Sequence, residues 1–129
     1  MKKYLAAACA AIALAGPAAA DPAEGMWQTE PDDGAYAHVK MVPCGEGQVC
    51  GVIARTFNAS GEYQSPNLGK TLVIGMTPEG NGHYKGRVWR PSNGKIYHGK
   101  MDLSGDRLEL RGCIAGGLLC SSQDWVRLQ

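Results

Sequence analysis

The stretch from Tyr84 to Ile114 constrains the fold most. Three glycines, Gly86, Gly99 and Gly112, recur within it at intervals of 13 residues. Two turn signals separate them, Pro91-Ser92-Asn93-Gly94 and Ser104-Gly105-Asp106, so the stretch reads strand, turn, strand, turn, strand. Folding 84–90 back on 95–103, with 103 opposite 108, sets the three glycines side by side on one face. Glycine inside a strand weakens it and marks a sharp bend or a close approach by another group. A row of three predicts a barrel corner, or floor space for something bulky.

Side chains alternate faces along a strand. With either a two- or a four-residue loop in the first hairpin, Tyr84, Gly86 and Val88 share a face with Tyr97, Gly99, Met101 and Leu103. The second hairpin adds Leu108, Leu110, Gly112 and Ile114. That face is apolar and is expected to point inward. The other carries Lys85, Arg87, Trp89, Ile96, His98, Lys100, Asp102, Arg107, Glu109 and Arg111, and is expected to face water. A slip of one residue would bury these charges, so the register is strongly specified.

The rest of the chain follows the same pattern. Strands are expected over residues 25–30, 35–43, 49–57, 70–76 and 121–128, on either side of the meander. The longest irregular stretch, 58–69, is polar and punctuated by Gly61 and Pro66, and is expected to be a mobile loop at one barrel mouth. Gly makes up 18 of 129 residues, about double the usual ~7%. Many glycines, no helical run and eight short strands without internal proline predict an all-β, up-and-down antiparallel barrel. A two-sheet sandwich is the alternative.

The first 20 residues read as a signal peptide rather than part of the domain. Lys2 and Lys3 precede an apolar core from Tyr4 to Ala15, and Ala18-Ala19-Ala20 forms a small-residue cleavage site. The apolar run is too short for a transmembrane anchor and is broken by Gly16-Pro17. The expected single domain is 21–129, in the periplasm or secreted. It keeps four cysteines, Cys44, Cys50, Cys113 and Cys120. An even count in an exported domain predicts two disulfides. Three pairings are open; the local one is favoured because each bridge then closes a short loop. The spacing fits zinc poorly.

Charge is uneven. Residues 85–111 hold seven Lys or Arg and three acids, whereas 21–84 hold three basic residues and eight acids. With no bulk positive charge, nothing argues for nucleic acid. The basic wall bearing Trp89 is a candidate surface for an anionic partner.

Several motifs together resemble the bacterial domain-of-unknown-function family 2147, small exported proteins. They are Gly25-x-Trp27-x-Thr29, the Cys44–Gly51 stretch, Val88-Trp89-Arg90-Pro91-Ser92-Asn93-Gly94-Lys95-Ile96-Tyr97, and Gln123-x-Trp125-x-Arg127. The resemblance implies a lipocalin-like barrel and no established activity. Arg90 stands where members usually carry an acid or amide before the turn proline. Lipocalin-type barrels often begin with Gly-x-Trp, the Trp lying across the barrel floor beneath an Arg of the last strand. Trp27 and Arg127 match those positions.

Catalytic constellations are thin. His38, His83 and His98 are isolated, without metal-ligand spacing. Ser121 and Ser122 lack a nucleophile elbow, and Gly80-x-Gly82 lacks the context of a phosphate loop. No enzyme activity, metal or cofactor is expected. The expected function is binding of a small apolar or amphipathic ligand inside the barrel. Its candidate wall is Tyr84, Gly86, Val88, Tyr97, Gly99, Met101, Leu103, Leu108, Leu110 and Gly112. The alternative is an envelope protein-interaction module or enzyme inhibitor, using 58–69 and the basic outer face.

Overall fold

The structure, a computed structural model, describes residues 20–129. Apart from Ala20, the expected signal peptide lies outside the described residues. Nine strands follow in order: β1 (Gly25–Gln28), β2 (Tyr36–Pro43), β3 (Val49–Asn58), β4 (Gly61–Tyr63), β5 (Thr71–Gly80), β6 (His83–Arg90), β7 (Lys95–Ser104), β8 (Arg107–Ile114) and β9 (Leu119–Arg127). Eight of them, all but β4, close into one antiparallel ring. β3 pairs with β5, and β1 closes the ring on β9 through Trp27 opposite Arg127. Among the described residues no helix is long and apolar enough to cross a membrane.

The meander takes the register its alternation demands. Gly86 lies opposite Gly99, Gly99 opposite Gly112, and Leu103 opposite Leu108. Arg90 pairs with Lys95, so the first hairpin closes with a four-residue loop. Gly94 and Gly105 adopt positive φ (73° and 60°), which the two turns require and a side chain would oppose.

Three features depart from the sequence expectation. The 58–69 stretch is not a plain loop: β4 folds back on the end of β3, with Arg55 Nη2 2.5 Å from Glu62 Oε1 across that hairpin. β5 runs past residue 76 to Gly80 and contains Pro78, because register shifts between Ile74 and Thr77 and between Pro78 and Gly80 relieve the ladder there. Ile114, expected inside, is exposed because it lies at the rim, where the barrel wall ends.

Both disulfides form, Cys44–Cys50 and Cys113–Cys120, in the local pairing. The fully buried core gathers Trp27, Val39, Met41, Val49, Val73, Met76, Met101, Leu108 and Trp125. Burying a Val, Leu or Met side chain contributes roughly 1.5–3 kcal/mol, so this packing is the main source of stability.

One end of the barrel is closed. Trp27 is buried, with the guanidinium carbon of Arg127 4.4 Å from its ring centroid. Trp27 Nε1 donates to Ala23 O at 2.9 Å. Arg127 donates to Glu24 O (2.9 Å) and Pro22 O (2.7 Å) and pairs with Asp106 (3.1 Å). Tyr84 donates to Asp21 Oδ1 at 2.6 Å; burial, then that hydrogen bond, pushes its phenol well above the ordinary range. The segment 21–24 is thereby tied across the floor, and the Trp27–Arg127 pair implied by the resemblance is present.

Candidate functional site

The opposite end is open. A cavity of about 430 Å³ lies there, within the ~300–1,000 Å³ common for small-molecule sites. Ala37 of β2, Ile53 of β3, Leu72 of β5, Val88 of β6, Leu110 of β8 and Trp125 of β9 supply its apolar lining. All but Leu72 fall on the buried parity of their strands; Leu72, next to fully buried Val73, is partly buried on an irregular strand. Polar groups crowd the rim: Glu30 and Asp32 from the β1–β2 turn, Ser65 and Asn67 after β4, Arg90 and Ser92, and Ser121 to Gln123.

Several of these polar groups are committed to internal bonds that hold the wall. Thr29 Oγ1 accepts from the Ala37 amide at 3.0 Å. Thr56 Oγ1 donates to Tyr63 O at 2.6 Å, fastening β4 to β3. Ser65 Oγ accepts from the Asn67 amide, and Gln123 Oε1 from Trp125 Nε1 at 2.8 Å. Tyr97 OH accepts from Asn93 Nδ2 at 2.8 Å.

A latch spans the mouth. Arg90 donates to both carboxylate oxygens of Asp32, Nε at 3.0 Å and Nη2 at 2.9 Å. Ser92 Oγ donates to the same carboxylate at 3.4 Å. The Arg90 hydrogen bond holds the Asp32 carboxyl below its ordinary value, and Asp32 in turn raises Arg90. This joins the β1–β2 turn to the β6–β7 turn across 58 residues of sequence. Arg90 therefore has a partner that its own turn motif does not contain.

The expected ligand wall is divided by depth. Val88, Tyr97, Leu110 and Gly112 line the cavity. Tyr84, Gly86, Gly99, Met101, Leu103 and Leu108 do not; they belong to the filled, closed half. The glycine row divides with them. A Cβ on Gly86 would lie 2.7 Å from Ile74 O and 2.8 Å from Gly75 O, so β5 crosses directly over it. On Gly99 it would meet Met76 Cε at 2.7 Å and Arg87 C at 2.9 Å. On Gly112 the nearest atoms are Val88 Cγ1 and Tyr97 Cβ, at 3.5 and 3.6 Å. Two glycines admit the core, and one faces the cavity.

The sequence reading missed the β1–β2 turn, Ser121 to Trp125, and the inward residues of β3 as cavity lining. The alternation Gln123-x-Trp125 on the last strand carried the signal for part of this. The basic wall also differs from expectation. Trp89 is half-buried rather than fully outward, packed beside the core and lining the cavity, with Lys70 Nζ 5.5 Å from its ring. Among the described residues no group of three or more His, Cys, Asp or Glu gathers as a metal site would require.

Comparison with known proteins adds the following. The family model described as "Uncharacterized protein conserved in bacteria (DUF2147)" matches residues 25–127. A search of curated proteins finds no match. Among solved structures, the crystal structure of Echinococcus granulosus fatty-acid-binding protein 1 aligns with a TM-score of 0.48 and 12% identity, over 84% of this chain and 98% of that one. At that score the overlap carries no functional weight.

Proposed function

We propose that this chain, which belongs to the DUF2147 family, is an exported carrier that holds one small amphipathic molecule in the mouth half of its barrel. The observation that carries this is the cavity's one-ended polarity. Its lower wall is Ile53, Val88, Leu110 and Trp125, its rim is polar, and its far end is stopped by Trp27 and the packed methionines. An apolar body would descend and a polar end would stay at the rim. Binding is the reading, not catalysis. The leader pattern of residues 1–20 and the two disulfides support a periplasmic or secreted location.

The alternative, a protein-interaction module using 58–69 and the basic outer face, draws less support. Trp89 is partly covered by Lys70, and part of 58–69 is folded into the β3–β4 hairpin.

The test is titration of the purified, delipidated protein with 1-anilinonaphthalene-8-sulfonate, alongside native mass spectrometry of the undelipidated protein. Saturable binding at one site is expected. Gly112→Leu should fill the cavity, since its Cβ meets only ordinary contacts, and weaken dye binding by about tenfold or more through lost apolar contact. Non-saturable binding, or full binding by a folded Gly112→Leu, would sink the reading.

A further inference from the structure

One edge of the mouth carries groups that the cavity does not use. Leu118 is 85% exposed, Leu119 63% and Ile114 52%. All three lie at the β8–β9 connection, between the cavity-lining Gly112 and Ser121. The chain holds them out. Cys113–Cys120 closes the base of the connection. Ala115, Gly116 and Gly117 take left-handed conformations (φ 55°, 68° and 95°), which an alanine rarely adopts. Lys100 Nζ donates to Gly117 O at 3.4 Å.

On the β8 side of this tip the neighbouring strands carry basic outer faces. Arg87 and Lys100 lie on the outer faces of β6 and β7, and Lys95 opens β7. None of the three makes an ion pair among the described residues. On the β9 side lies β1, which leads into the acidic turn of Glu30, Asp32 and Asp33, where Arg90 already pairs with Asp32. Apolar tips and cations without an ion pair therefore share the β7 side of this edge.

We propose that this edge docks on an anionic lipid surface. Leu118 and Leu119 enter the apolar boundary, while Arg87 and Lys95 meet the phosphates. Apolar insertion and attraction to anionic headgroups reinforce each other at such a surface. Charge decides against a second copy of the chain as the occupant, because two-fold pairing would bring the same positive patch against itself. The placement sets the open cavity against a source of amphipathic molecules; that purpose, though not the docking itself, rests on the carrier reading above.

The experiment is vesicle co-sedimentation of the disulfide-intact protein. Vesicles of phosphatidylcholine alone are compared with vesicles containing phosphatidylglycerol, at low and raised salt. Binding is expected on the phosphatidylglycerol vesicles only, weakening as salt screens the charges. The double substitution Leu118→Asp and Leu119→Asp should lower it about tenfold or more. Arg87→Glu with Lys95→Glu should lower it too. Equal binding to both vesicle types, or an undiminished Leu118→Asp/Leu119→Asp protein, overturns the proposal. So does a parent dimer, seen by analytical ultracentrifugation, that the double substitution dissociates. The dye titration is repeated on the double variant without vesicles, where it should be unchanged. Loss of dye binding in the parent would end the carrier reading while the vesicle comparison still decides the docking.

Discussion

Replacing Gly86, Gly99 and Gly112 by alanine, one at a time, turns a row that looks uniform in sequence into three different experiments. Gly→Ala at an unstrained position stabilises by about 0.4–1 kcal/mol, chiefly by restricting the unfolded chain. None of the three glycines has a positive φ, so backbone conformation opposes none of the substitutions. Space decides. At Gly86 the new methyl would press on Ile74 O and on Gly75 O and C, at 2.7, 2.8 and 3.0 Å. All are backbone atoms of β5, so a strand must shift, and overpacking of that kind costs roughly 1–3 kcal/mol. At Gly99 one obstacle is the movable end of Met76, but the Arg87 backbone at 2.9 Å is not movable in the same way. At Gly112 every contact is ordinary. The expected order is Gly86→Ala least stable, Gly99→Ala intermediate and Gly112→Ala equal to or above the parent. Thermal melts can read this, because 1 kcal/mol moves Tm by about 4 °C or more in a domain near 100 residues. Urea midpoints with unchanged slope would show that stability alone had moved. Equal losses at all three positions would refute the division of the barrel into a filled half and an open half.

Trp27→Ala should cost about 3–5 kcal/mol, as for other buried aromatic truncations, and a double-mutant cycle with Arg127→Ala should return a coupling of about 0.5–2 kcal/mol; additive losses would remove the cation–π pairing from the account of the floor. The mouth latch predicts an acid dependence. Asp32 is held below its ordinary value near 3.8 by Arg90, so its contribution is present above that value and is lost as pH falls through the lowered one. Asp32→Asn should flatten the stability difference from the parent below about pH 4, and a difference that persists unchanged to pH 2 would assign the latch no role.

Much of this barrel could be read locally. The turn at 91–94, the apolar alternation of 97, 99, 101 and 103 and the charges on the opposite parity together set the register of β6, β7 and β8, because a strand's faces repeat every two residues and a slip would bury charge. Cysteine count and compartment predict two disulfides, with the local pairing favoured among three, and the floor pair comes from a resemblance at the chain ends. What alternation cannot supply is depth along the barrel axis. Tyr84 and Tyr97 share an inward parity, yet one seals the floor against Asp21 and the other faces the cavity. Tyr97 lies near the β6–β7 turn at the mouth and Tyr84 at the far end of β6, and between them β5 passes over Gly86 while Met76 closes over Gly99. Likewise, nothing near Arg90 in sequence identifies Asp32 as its partner. Within the meander, local sequence therefore determined which residues face inward short of the rim, through the period of the strand. The tertiary structure alone decided which inward residues meet core and which meet open space, because that depends on contacts between strands far apart in the chain.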